Sequence, residues 1–242
     1  RGVVGVVAGS AGYPGAGVLA TGAAAVGGAG YVRYAGGAPD AIRARYPEVV
    51  VQSGTDPAQL RVQAWVVGPG LGTDEDAARL LAAVLATDVP VLVDADGLTL
   101  LGRSPELLRG RRAPTVLTPH DREFARIADG PSDDRLGSAR EAARRLGATV
   151  LLKGAATVVA APDGRAWINR TGTPWLASAG TGDVLSGLIG SLLAAGLEPP
   201  LAAAAGAYVH GVAGQLAAAG GPPTSLDVLS SLRAALHAVR TG

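Results

Sequence analysis

The chain is constrained most by an ending that recurs. Short, uniformly apolar runs stop at glycine or at a polar residue, and a helix-like segment follows. Residues 3–8 stop at Gly9-Ser10, 64–67 at Gly68-Pro69-Gly70-Leu71-Gly72, 89–93 at Asp94, 114–117 at Thr118-Pro119-His120, and 149–152 at Lys153-Gly154. Residues 31–34 and 49–52 read as two more short strands, and 158–161 with 165–169 as a hairpin around Pro162-Asp163-Gly164. Strands that are apolar throughout belong in a sheet covered on both faces, and alternation with helices makes that sheet mostly parallel. The predicted class is α/β, a central sheet flanked by helices, in one domain over residues 1–242. Helices are expected at 15–26 with Pro14 in the first turn, 74–86 with Thr73 as cap, 121–128, 134–147, 182–196, 200–218 and 225–240. In open parallel sheets the ligand crevice lies outside the carboxyl ends of the strands. Five strand ends carrying glycine or polar side chains predict a cleft of nucleotide size.

Composition narrows the partners. With 21 Lys and Arg against 20 Asp and Glu, the formal charge is +1, and no electrostatic case exists for nucleic acid or a membrane surface. The absence of cysteine removes disulfides, thiolate chemistry and Cys-based metal sites. Residues 201–221 carry no charge except on His210, yet they are dominated by Ala and Gly and include Gln215, which reads as closely packed helix rather than a membrane span. The start, Arg1-Gly2 and then a strand-like run, shows no leader and no methionine. A cytoplasmic protein is expected, as a piece of a longer chain with another domain upstream.

Gly180-Thr181-Gly182-Asp183 runs straight into the apolar Val184-Leu185-Ser186-Gly187-Leu188-Ile189. This reads as a tight turn opening a buried helix, whose free N–H groups and dipole favour an anion. Asp183 in that first turn is either a simple helix-start acid or a base that takes a proton from an attacking hydroxyl. Lys153 is the only lysine; every other basic residue is arginine. A position that keeps lysine against such a bias suits a compact, flexible ammonium. The three glycines of residues 68–72 can wrap a ligand with their amides. The segment 9–17 matches neither the P-loop pattern nor G-x-G-x-x-G. His120 at a strand end reads as a substrate contact. Glu123 either supports the helix start or orients Mg²⁺ through water. Asp94, at a strand end facing the cleft, either assists with charge or metal-bound water or is a satisfied structural carboxylate; Asp96 reads as a helix cap, and His210 and His237 read as structural.

Taken together, Gly9-Ser10 with Tyr13-Pro14-Gly15-Ala16, residues 68–72, Val93-Asp94-Ala95-Asp96, Thr118-Pro119-His120 with Glu123, Lys153-Gly154 and Gly180-Thr181-Gly182-Asp183 resemble the ADP/ATP-dependent NAD(P)H-hydrate dehydratases. The match runs almost end to end. One departure is Ser178-Ala179, where relatives often carry another glycine before Gly180. The resemblance implies a ribokinase-like three-layer sandwich. It also implies nucleotide-dependent dehydration of (6S)-NAD(P)H hydrate, in which the ring hydroxyl is phosphorylated and phosphate is then eliminated. It puts Ala16, Gly70, His120 and Asp183 at the hydrate, and Lys153, Gly154, Ala155, Ala156, Thr157 and Gly182 at the adenine nucleotide. Gly180, Thr181 and Gly182 would form the phosphate loop, with Mg²⁺ alongside. A homo-oligomer, a tetramer among the options, and an N-terminal epimerase domain are further implications. Two other readings stay open: a small-molecule kinase of the same superfamily acting on a vitamin precursor or sugar alcohol, and a non-catalytic nucleotide-binding module. His120 favours the dehydratase, because the vitamin kinases of this fold usually carry Asn there.

Overall fold

The computed structural model describes residues 1–241 and folds nine strands into one sheet, ordered β3-β2-β1-β4-β5-β6-β7-β8-β9. β1 (Val3–Val7), β2 (Tyr31–Tyr34), β3 (Val50–Val51), β4 (Ala64–Val67), β5 (Val91–Val93), β6 (Thr115–Leu117) and β7 (Thr149–Leu152) run parallel. β8 (Thr157–Ala160) and β9 (Ala166–Asn169) complete the sheet as an antiparallel hairpin. Consecutive residues on the inner strands feed opposite faces, as the period of two requires. In β4, Trp65 and Val67 join the core under α3 (Glu75–Leu85), α4 (Asp96–Arg103), α5 (Asp121–Ile127) and α6 (Arg135–Leu146). Ala64 and Val66 join the core under α1 (Pro14–Val26), α2 (Pro39–Arg45), α7 (Thr181–Ala194) and α8 (Pro199–Ala217). A third apolar cluster packs α9 (Ser225–Thr241) onto α1, α7 and α8. The result is the expected three-layer α/β sandwich.

Small residues set the spacing of the layers. The ring of Trp65 lies over Gly5 of β1, where any Cβ would stand 2.2 Å from it. On α7, a Cβ at Gly187 would fall 2.0 Å from the Ala20 carbonyl oxygen of α1, and one at Gly190 would fall 2.2 Å from Val66 of β4. The Ala- and Gly-rich stretches are therefore contact surfaces at which backbones approach closely. Among the described residues no helix is long and apolar enough to cross a membrane.

Local details differ from the sequence reading where side-chain geometry decided them. Asp74, not Thr73, caps α3, its carboxylate accepting from the Ala77 N–H at 2.9 Å. Asp96 does not cap its own helix; it reaches across to the Gly72 N–H at 2.9 Å. Helix α2 has no counterpart in the sequence reading; it is seven residues long and buries only Ile42. α4, eight residues long, starts at Asp96 itself and buries Leu98, Leu100 and Leu101. The replacement Gly187→Ala should force α1 and α7 apart and cost about 1–3 kcal/mol, read as a lowered urea midpoint with unchanged far-UV circular dichroism.

Candidate active site

The strands whose ends drew notice in the sequence are neighbours in space. β1, β4, β5, β6 and β7 lie side by side in that order, so Gly9-Ser10, residues 68–72, Asp94, His120 and Lys153 share one edge of the sheet. The strand order reverses at β1, which pairs with β2 on one side and β4 on the other, and such a switch point opens a crevice. Across it the Gly9 N–H donates to the Pro69 carbonyl at 2.7 Å. Gly70, at φ +58°, lies against α1: a Cβ there would meet Ala16 Cβ at 2.7 Å and Tyr13 Cβ at 3.0 Å. Ala16 and Gly70, assigned together from the resemblance, are thus in contact.

The start of α7 closes the other side. Gly180 adopts φ +87°, a left-handed conformation, with Leu19 and Ser225 too close for a side chain. The Thr181 hydroxyl donates to the Leu176 carbonyl at 2.6 Å and lies 2.9 Å from that of Ser178, which folds the turn back on itself. The Gly182 and Asp183 N–H groups find no protein acceptor among the described residues. They are the orphan donors of a helix start, in a position to receive an anion. Asp183 stands beside them, its carboxyl pushed up to about 7 by burial first, then by the charge of Asp94, with Lys153 pulling the other way. A carboxylate of that kind is matched to proton transfer near neutral pH.

Lys153 ties this corner together. Its ammonium lies 2.8 Å from Asp94 Oδ1 and 3.5 Å from Glu123 Oε2. Burial alone would lower its pKa, but the two carboxylates outweigh that and hold it above the ordinary lysine value. Asp94 Oδ2 accepts from the Ser186 hydroxyl at 2.7 Å. Glu123 Oε2 also accepts from the His120 N–H at 2.9 Å, while His120 Nδ1 accepts from the Arg122 and Glu123 N–H groups. This is a capping box with histidine in the serine position. Because Nδ1 accepts, a neutral ring carries its proton on Nε2, which lies 3.5 Å from Glu123 Oε1, and the ring is half-exposed. His210, buried on α8, is pushed down to about 4 by desolvation and stays neutral against the Thr181 backbone. His237 is exposed on α9.

Thr157 opens β8, and residues 153–156 form the turn between β7 and β8. Its inner side is fixed: the Lys153 N–H donates to the Pro119 carbonyl at 2.8 Å, and Arg135 donates to the Lys153 carbonyl at 2.9 Å. Gly154, Ala155 and Ala156 face outward. Arg135 and Ser186 escaped the sequence reading. Ser186 had one signal, a hydroxyl three residues after Asp183 in an otherwise apolar helical run. Among the described residues no group of three or more His, Asp or Glu side chains is arranged to hold a metal ion. Four carboxylates, Asp94, Asp96, Glu123 and Asp183, nevertheless act on this corner against one lysine. A phosphate entering there would need further positive charge, which a Mg²⁺ ion keeping most of its waters would supply without a protein cage.

The fold is ribokinase-like, and its site sets free helix-start amides beside a proton-accepting carboxylate. The chain belongs to the NAD(P)H-hydrate dehydratase family, whose pattern matches residues 4–231. It is 55% identical over 245 residues to the bifunctional NAD(P)H-hydrate repair enzyme of Mycobacterium leprae, covering 99% of this chain and 52% of that protein. It is 44% identical over 226 residues to the ADP-dependent (S)-NAD(P)H-hydrate dehydratase of Neisseria meningitidis, covering 88% of this chain and 76% of that one. Among solved structures, the ADP/ATP-dependent NAD(P)H-hydrate dehydratase of Bacillus subtilis co-crystallised with ATP and Mg²⁺ superposes with a TM-score of 0.87 at 30% identity, over 98% of this chain and 89% of that one. The chain spans about half the length of the bifunctional relative.

Asp183 binds its proton more tightly folded than unfolded. The stabilisation this brings is complete below about pH 4 and is lost as pH rises through about 7. Asp183→Asn should therefore raise the thermal midpoint by a few degrees at pH 8 and change it little at pH 4. An equal shift at both values would show that the buried charge is not the cause.

Proposed function

We propose that this chain is a dehydratase domain that repairs hydrated NADH or NADPH with ADP or ATP as phosphoryl donor. The observation that carries the reading is Asp183, a half-buried carboxylate poised near neutral pH beside unpaired amides. Water is a poor leaving group from the nicotinamide ring, and phosphate is a better one. In this reading Asp183 takes the proton of the ring hydroxyl as its oxygen attacks the terminal phosphoryl group. Within the expected loop of Gly180, Thr181 and Gly182, the Thr181 N–H is turned to the Ser178 carbonyl at 3.4 Å, so the free amides of Gly182 and Asp183 stabilise the charge that builds on that group. Loss of phosphate with a ring proton then restores the dihydronicotinamide. Ala16, Gly70 and His120 hold the hydrate, with His120 offering its Nε2–H. Lys153, Gly154, Ala155, Ala156, Thr157 and Gly182 hold the nucleotide. Mg²⁺ supplies countercharge to the phosphates, with Glu123 reaching it through water.

Support from relatives is specific. The Neisseria protein is named for ADP, and the Bacillus one for ADP or ATP with Mg²⁺ in its crystal. The bifunctional name of the mycobacterial relative supports an epimerase domain upstream of residue 1 in the full-length protein. A cytoplasmic homo-oligomer, with a tetramer among the options, completes the proposal, with residues 1–242 acting as one domain.

The test is the dihydronicotinamide absorbance band, followed after protein and Mg²⁺ are added to acid-hydrated NADH with ADP, with ATP or with neither. A rise that requires nucleotide is expected. No rise from folded, nucleotide-bound protein would turn the reading towards a small-molecule kinase. The rate under kcat/KM conditions should climb with pH through about 7 and then level, because Asp183 must be ionised to act. Asp183→Asn should lower kcat by about 10²–10⁴-fold while nucleotide still binds. His120→Ala should raise the KM for the hydrate severalfold at near-constant kcat, and unchanged kinetics would remove it from the site.

A further inference from the structure

The resemblance places Lys153 with the rest of its turn at the adenine nucleotide, without saying which part of the nucleotide it meets. Its surroundings do. The ammonium stands at the opening of α7: a Cβ on Gly182 would lie 3.6 Å from Lys153 Nζ and 3.8 Å from Asp94 Oδ2. Gly154, Ala155 and Ala156, in contrast, point outward from the same turn. Of its three N–H donors, two are directed at Asp94 and Glu123, and the side chain keeps 21% of its surface open. At least one donor is thus left for a ligand, and Nζ stands close to Gly182.

We propose that Asp94 and Ser186 are positioning residues that hold the Lys153 ammonium at the anion site, where it meets the terminal phosphates of the nucleotide. The proposal rests on the nucleotide reading above and goes beyond it in dividing the turn: the ammonium serves the phosphates and the outer backbone serves the nucleoside.

Both oxygens of Asp94 are committed. Oδ1 holds the lysine at 2.8 Å and Oδ2 holds the Ser186 hydroxyl at 2.7 Å, with Asp94 1% exposed and Ser186 fully buried. Ser186 is three residues beyond Asp183, on the same face of α7, one turn from the amides. The helix that presents the amides therefore also fixes the carboxylate that aims the cation. Without the Ser186 hydroxyl, the Asp94 carboxylate is free to turn and take a second ammonium proton, drawing Lys153 out of the cleft. The backbone shows the same constraint. Ala95 is the only non-glycine residue with positive φ among those described, at +49°, and it sits between Asp94, held to α7, and Asp96, held to the Gly72 N–H. A strained residue persists where its neighbours over-determine it.

Calorimetric binding of AMP, ADP and ATP in Mg²⁺ buffer, to the parent chain and to Lys153→Ala, Asp94→Asn and Ser186→Ala, separates the two halves of the nucleotide. AMP affinity, which also reports a folded site, should stay within about twofold in all three. ADP and ATP affinities should fall about 10–100-fold in Lys153→Ala and Asp94→Asn, and about 3–10-fold in Ser186→Ala, the range expected for losing or misplacing one charge-assisted contact. Where Ser186→Ala lowers the thermal midpoint, Ser186→Cys, close in volume and a weak donor, should give the same pattern. Equal losses for AMP and ATP in Lys153→Ala would put the lysine at the nucleoside and overturn the proposal. Tighter ATP binding by Asp94→Asn would show that Asp94 repels phosphate rather than aims the lysine. Unchanged ADP and ATP binding by the Ser186 variants would remove Ser186. Each of these leaves the dehydratase reading standing; a parent chain that binds none of the three nucleotides would overturn both.

Discussion

The close approach of α7 to the sheet and to α1 is the contact on which the rest depends. Gly187 against the Ala20 carbonyl, and Gly190 against Val66, let a helix start with free amides stand directly over the carboxyl edge of the strands. A bulkier pair of residues would lift α7. Gly180 would then leave Leu19, and the amides of Gly182 and Asp183 would leave the lysine that rises from β7. Dispersion and the hydrophobic effect hold this arrangement, since α7 is buried along most of its length. The polar site is a product of an apolar interface.

Charge is the second constraint. One lysine faces four carboxylates in a poorly hydrated corner, and the imbalance is resolved in two ways. Asp94 and Glu123 share the ammonium, and Asp183 retains a proton to about pH 7. Burying an unpaired carboxylate is costly, and the raised proton affinity of Asp183 is how that cost is expressed. The same imbalance is the physical ground for proposing the nucleotide as a metal complex rather than as bare phosphate.

Much of this was legible in the chain itself. The strand runs, the hairpin around Pro162-Asp163-Gly164 and the three C-terminal helices emerge within a few residues of their expected limits, because each is defined by a local period or a local turn residue. The site residues were legible as types and as an ordered set of motifs. The caps were not: Asp74 took the place of Thr73, and Asp96 served the loop at Gly72 rather than its own helix. Two oxygen-bearing side chains close in sequence compete for the same donors, and only the course of the backbone decides between them. Ser186 and Arg135 were invisible for the same reason, since their partners lie 92 and 18 residues away.

The sequence by itself determined the elements, the class of the sheet and the chemistry available: a lone lysine, a helix-start aspartate, glycines where backbones must come close. These follow from local propensity and from periodic burial. Tertiary structure alone decided that five separate strand ends are consecutive neighbours in the sheet, that Ala16 touches Gly70, and that Asp94 joins Ser186 to Lys153. Strand order is set by which crossovers can pack helices on both faces without voids, a property of the whole chain that no window of it contains.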